Sequence, residues 1–271
     1  MSTQVDTNAI RAVMWKDLTA VRRSKAVVLP MLLVPLLLFV LLPGAVGFAA
    51  RSVHNVNIDS FLGRLPGNAA APIRRLPERE QLVVLVNGYL LAPLFLIVPL
   101  MVSVVLAADA FAGEKERKTI EGLLHLPISD RDLFLAKLLG AFVPAVVVSW
   151  LGFVCFAVVT NTIAWPVMHR IFVPTRLWGV MILWVAPAVA ALGLGVMVRV
   201  SARARTSQEA NQLGGAVILP LIFIALGQAT GLLLVALPVA LAVGAVLWVL
   251  AAWLVHGGIA KFSRDRIALR V

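Results

Sequence analysis

Residues 82–108 read LVVLVNGYLLAPLFLIVPLMVSVVLAA, 27 consecutive positions without Asp, Glu, Lys or Arg. At about 1.5 Å per residue, a helix of that length crosses a hydrocarbon core of ~30 Å with room for tilt. The run lacks the apolar/polar alternation over about ten residues that marks a strand of a membrane barrel, so it predicts a spanning helix. Outward from it, further uncharged runs occupy 26–50, 138–160 and 177–198. From 210 to 260 another 51 residues carry no Asp, Glu, Lys or Arg, too many for one crossing. Gly227-Gln228-Ala229-Thr230-Gly231 interrupts that region with two glycines and two polar side chains, which predicts a turn between spans at 210–227 and 232–256. The expected fold is all-α, a polytopic membrane protein with six transmembrane helices in a single transmembrane domain over residues 1–271. Composition agrees: 61% of the 271 residues are hydrophobic and 14% charged, against about a quarter charged in soluble domains.

The formal charge of +11 would suggest nucleic acid as a partner of a soluble protein, but in a membrane protein the distribution carries the meaning. With six spans both termini share a side. On that side lie the basic residues before 26, within 109–137, within 199–212 and after 256, in all 17 of the 24; the other side holds seven, five of them in 51–81. The bias predicts both termini in the cytoplasm, in a cell inner (plasma) membrane, with no nucleic acid as partner. The opposing loop, with Arg51, Arg64, Arg74, Arg75 and Arg79, is the strongest counterweight. Gly47-Phe48-Ala49 resembles a signal-peptide cleavage site, but an apolar run of over 20 residues exceeds the usual h-region of about 7–15, so an uncleaved span is expected.

Two segments outside the spans carry pattern. In residues 9–25, Ile10, Val13, Met14, Leu18 and Val21 recur at helical spacing, with Trp15 beside them and Arg11, Lys16, Arg22, Arg23 and Lys25 supplying charge. This predicts an N-terminal interfacial helix whose apolar face meets the acyl boundary and whose basic groups meet anionic headgroups, at about 1 kcal/mol each. The second segment, 109–137, holds six of the 13 acidic residues. On a helix starting near Glu114, Glu114/Lys118 and Arg117/Glu121 pair at four-residue spacing. Glu116 faces Ile120 and is left to bind elsewhere. Ile120, Leu123 and Leu124 form an apolar patch, Pro127 ends the helix, and Ser129 with Asp132 predicts an N-cap for the next.

The run Glu114-x-Glu116-Arg117-x-Thr119-x-Glu121-x-Leu123-Leu124-x-x-Pro127-Ile128-Ser129, continued by Leu133 and Lys137, resembles the cytoplasmic loop of permeases of the second class of ATP-binding-cassette exporters. Six spans, an amphipathic helix before the first and a paired-glutamate coupling helix follow in that family's order, and Lys261-Phe262-Ser263-Arg264-Asp265-Arg266 resembles its basic-aromatic tail. Lys118 stands where the family commonly has glycine. The resemblance implies a permease coupled to a separate cytoplasmic ATPase in two copies, with a second permease copy, identical or homologous. It places ATPase coupling on the 114–126 helix, at Glu114, Glu116, Arg117, Thr119, Ile120, Glu121, Leu123 and Leu124, and offers the 9–25 helix as a further contact.

The chain has no G-x-x-x-x-G-K-[ST], so no cofactor is expected in it; ATP and Mg would be bound by the partner subunit. His54, His125, His169 and His256 are scattered without metal-ligand spacing, and no hydrolase motif occurs, so the chain is not expected to be an enzyme. The spans hold no charged side chain, which counts against ion transport through carboxylates. Asn87, Tyr89, Ser103, Ser149, Asn211, Gln212 and Gln228 could line a pathway or join helices, the second use being the commoner. Pro35, Pro93, Pro99, Pro144, Pro187, Pro220 and Pro238 predict kinks within spans. An ATP-independent carrier or channel, and a membrane scaffold that transports nothing, are the alternative functional classes.

Overall fold

The computed structural model describes residues 6–52, 58–64, 67–116, 129–204, 206–229 and 236–259. Among them no strand occurs, and six helices are long and apolar enough to cross a membrane. A first helix, α1 (Thr7–Arg23), precedes them, capped by the Asp6 side chain, which accepts from the N–H groups of Asn8 and Ala9. The spans are α2 (Val28–Ser52), α5 (Glu78–Gly113), α6 (Asp130–Met168), α7 (Arg176–Ser201), α8 (Ser207–Gly227) and α9 (Leu237–Gly257). Between α2 and α5 lie two short helices, α3 (Asp59–Leu62) and α4 (Gly67–Arg74). Ile58, Phe61, Leu62, Ala70 and Ile73 pack there against Leu85 of α5, so the segment is a folded cap on one end of the bundle.

The bundle is built around α5 and α7, which bury 72% and 67% of their most apolar windows, against 11% for α8. α7 packs on α5 and α9, and α6 packs on α5 and α2. The outer helices turn apolar side chains outward, Leu32, Leu33 and Phe48 on α2 and Val246, Val249 and Trp253 on α9. That arrangement suits a hydrocarbon solvent, where apolar exposure carries no cost. Inside, Phe39 of α2 stacks on Phe95 of α5 at 4.3 Å, and Phe156 of α6 and Trp178 of α7 close the cluster at 4.6 Å.

The expected prolyl kinks take a different form. Among the described residues four π-turns interrupt the spans, at Leu37–Leu41, Val86–Leu90, Asp109–Gly113 and Met181–Val185. Three of them contain the residue four before a proline, namely Phe39 before Pro43, Tyr89 before Pro93 and Leu183 before Pro187. Proline lacks the N–H that this carbonyl would accept and crowds it sterically, and widening the turn relieves both. In the second, the Leu91 N–H reaches back five residues to Val86, which deprives the Asn87 carbonyl of its usual donor. Trp178 Nε1 of α7 fills the place at 2.9 Å. In the fourth, the Ala186 N–H bonds Met181, and Trp150 Nε1 of α6 donates to the Ile182 carbonyl at 3.1 Å. Both of these widened turns thus offer a carbonyl to a neighbouring helix.

Span boundaries move outward from the sequence expectation. The third span, expected at 138–160, is a helix of 39 residues, about 58 Å long, and extends past a ~30 Å core. Uncharged runs measure what hydrocarbon tolerates, whereas the helix ends where backbone caps stop it. At its start the Ser129 hydroxyl accepts the Asp132 N–H at 3.1 Å, as the sequence predicted. At its end His169 adopts a left-handed φ of 48°. The turn expected at 227–231 shifts as well, because helix continues to Ala229; residues 230–235 lie outside the described residues.

Candidate functional site

The end of the bundle opposite the 58–75 cap gathers the charged residues. α1 lies there across the start of α6, with Ile10 and Val13 packed on Leu133 and Ala136 and Met14 alongside. The apolar stripe read as facing lipid therefore faces protein, because α6 continues beyond the apolar core and offers a surface of its own. Trp15 points away and is 65% exposed, and Arg11, Arg22 and Arg23 are exposed with it.

α5 leaves its last π-turn into a single helical turn, Glu114–Glu116. Glu114 is 5% exposed. Its Oε1 accepts from Lys16 Nζ of α1 at 2.8 Å, and its Oε2 is paired with Lys137 Nζ of α6. Lys137, 3% exposed, also donates to the Ala110 carbonyl of the π-turn at 2.6 Å and lies 5.7 Å from the centre of the Phe111 ring. Lys16 makes a second contact, to Asp17 Oδ1 at 3.0 Å. Burial pulls the Lys16 ammonium down, but hydrogen bonds to Glu114 and Asp17 outweigh it and hold the group above its usual 10.5. For Asp17 burial prevails: it lifts the carboxyl above the usual 3.8 against the opposing charges of Lys137 and Lys16.

Glu116 turns the other way. Its Oε2 accepts from both the backbone N–H and the hydroxyl of Ser207, each at 3.0 Å. Ser207 opens α8, so this carboxylate caps that helix from outside it, next to the Thr206 hydroxyl that accepts the Glu209 N–H. An anion at a helix N-terminus is favoured there by the orphan N–H groups and the helix dipole. Glu116, left open by the i,i+4 spacing, has its binding site on the fifth span of the same chain.

Of the residues the resemblance assigned to ATPase coupling, the structure places Glu114 and Glu116; Arg117, Thr119, Ile120, Glu121, Leu123 and Leu124 lie outside the described residues. Glu114 faces inward, and sequence reasoning missed its partners Lys137 and Lys16. The signal was present in part, since Lys137 stands one residue before an uncharged run, where a lone charge needs a partner.

The polar residues of the spans divide as well. Asn87, Ser103 and Ser149 are completely buried within the chain, and Ser103 Oγ donates to the Leu100 carbonyl of its own helix at 2.9 Å. The carboxamide of Asn87 and the hydroxyl of Ser149 meet no hydrogen-bond partner. Tyr89 is partly buried beside the cap. Asn211 is half-buried and Gln212 exposed, both on the first turns of α8 near the Glu116 contact. Of the six only Gln212 is exposed, and Asn211 Oδ1 is sealed from solvent without a hydrogen-bond partner.

Residues 11–243 match the family model described as ABC-2 family transporter protein. Comparison with curated proteins gives no match. The matched region takes in most of α1, the Glu-x-Glu turn and all of the first five spans.

Proposed function

Because the chain belongs to the ABC-2 family of transporter proteins, we propose that it is the transmembrane subunit of an ATP-driven exporter in the plasma membrane. In this reading both termini and the Glu114 end of the bundle face the cytoplasm. Two separate ATPase subunits, which bind ATP and Mg, dock on the 114–126 segment and along the exposed side of α1, where Trp15, Arg11, Arg22 and Arg23 lie. Two permease copies, identical or homologous, form the pathway. The hydrocarbon-facing exterior and the long uncharged runs within the spans suit a hydrophobic or amphiphilic cargo.

The observation that carries the reading is the family match over 11–243. The rooting of the Glu-x-Glu turn in three other helices supports it, since a docking segment transmits motion only if its base is joined to the elements that must move. The test is purification of the tagged permease from its own cells in mild detergent. The expected result is a co-purifying P-loop protein of the ATP-binding-cassette type and ATP hydrolysis in the pooled fraction. A permease that comes through alone, with transport unaffected by ATP depletion, would return the chain to the class of ATP-independent carriers.

A further inference from the structure

Glu114 and Glu116 stand on one turn and differ in what it takes to separate them from their partners. Glu114 is enclosed, and its two oxygens meet ammonium groups from two other helices. Parting it from Lys137 would leave two opposite charges buried without compensation, which makes the contact one that does not open in a working cycle. Glu116 is exposed, and water can replace both Ser207 contacts at little cost. The helix it caps is also the one least held by the rest of the molecule, with 11% of its apolar window buried. Its first turns pack through Ala210 and Gly214, the latter against Met197 and Val104, whereas the rest of α8 can swing about them without giving up much packing. Its near end, where Glu116 grips it, carries the exposed Gln212 and Asn211, whose Oδ1 is buried without a hydrogen-bond partner.

Resting on the reading above, we propose that the two glutamates are positioning residues with opposite tasks: Glu114 is a fixed pivot that makes α1, α5 and α6 one body, and Glu116 is a releasable joint between that body and the start of α8. Relative motion of that body and α8 strains the exposed joint first, because the pivot resists. Release or re-formation of the Ser207 contacts then sets the position of α8 relative to α5 and so the opening beside Asn211 and Gln212. The paired glutamates thus act inward, on the chain's own helices.

The test uses the whole permease–ATPase complex in lipid nanodiscs with the one native cysteine removed by Cys155→Ser. Glu116→Cys and Ser207→Cys are introduced together and bridged with a short bifunctional methanethiosulfonate. Bridging is expected to lower steady-state ATP hydrolysis roughly tenfold, with recovery on reduction, as for other gating steps. In parallel, Glu116→Ala is expected to lower hydrolysis while shifting the permease's Tm by less than about 4 °C, and Glu116→Gln, which keeps an acceptor, to recover part of the rate. Glu114→Ala and Lys137→Ala are expected to lower Tm by more than Glu116→Ala does. A bridged complex that turns over at the unbridged rate overturns the joint, and equal Tm losses at 114 and 116 overturn the division of tasks. If the wild-type permease retains no ATPase, the functional reading falls and this inference with it; if the wild-type complex hydrolyses ATP and ignores the bridge, only the inference falls.

Discussion

Asp17 is the least comfortable residue of the charged cluster. One carboxylate oxygen takes the Lys16 ammonium at 3.0 Å, while the other is sealed from solvent with no hydrogen-bond partner. Burial raises its pKa above 3.8 in spite of Lys137 and Lys16. A carboxyl whose folded pKa lies above its unfolded one favours folding fully below the unfolded value, and that contribution is lost as pH rises through the folded value. At neutral pH the charge on Asp17 is therefore a cost. Asp17→Asn is expected to raise Tm at pH 7, and the gain over wild type is expected to shrink as pH approaches 3.8, measured by thermal unfolding in detergent. A lower Tm at pH 7 with the gap unchanged by acid would mean that the Lys16 pair outweighs burial. Lys16 follows the same rule in a higher window: its pKa is raised too, so its contribution is complete below 10.5 and lost as pH rises above it. None of this was legible in the sequence, because the partners of Glu114 stand 98 and 23 residues away. Local spacing ranked its charge by Lys118, the nearest base four positions on, and assigned Lys16 to headgroups.

At the scale of the helix, the spans show how a proline in a membrane is accommodated. Pro93 leaves the turn before it widened, the widened turn orphans the Asn87 carbonyl, and Trp178 from another helix donates to it. The three features form a unit, so their energies should not add. Trp178→Phe is expected to cost about 1–3 kcal/mol, the range for stranding a buried acceptor. In a Pro93→Ala background, where Leu91 can donate to Asn87 in a regular turn, the same change is expected to cost less. A double-mutant cycle on Tm measures the difference, and strict additivity would break the link between proline, π-turn and tryptophan. The existence and number of spans were readable because uncharged runs of 22 residues or more leave few other structures open. Their ends and irregularities were not. Ser129 could be recognised as a cap from Asp132 three residues on, yet nothing in the local sequence of 161–168 says that α6 continues past Asn161. That extension rests on tertiary contacts, with Asn161 holding the backbone of Phe172 and Val173 through three hydrogen bonds.

For the molecule as a whole, the direction in which it sits decides whether the charged cluster can do its proposed work. The seven basic residues assigned outside are all arginine, and Arg64, Arg74, Arg75 and Arg79 are exposed on and around the cap. The structure offsets only part of this, with Glu80 taking Arg170 at 3.2 Å. Against them stand 17 basic residues at the other end, and the rule for orientation weighs short loops near span ends, where most of those 17 lie. Lys16, Lys137 and Glu114 join α1, α5 and α6 at that end, and on the outer side they would be cut off from any ATPase. On the Cys155→Ser background, Arg75→Cys is expected to react with a membrane-impermeant maleimide in intact cells, and Arg22→Cys only after permeabilisation. The reverse pattern would put the Glu-x-Glu turn outside, beyond the reach of ATP. It would then remove the cytoplasmic ATPase, the coupling role and the joint at Ser207 together, whereas labelling of Arg75→Cys alone leaves each to stand on its own test.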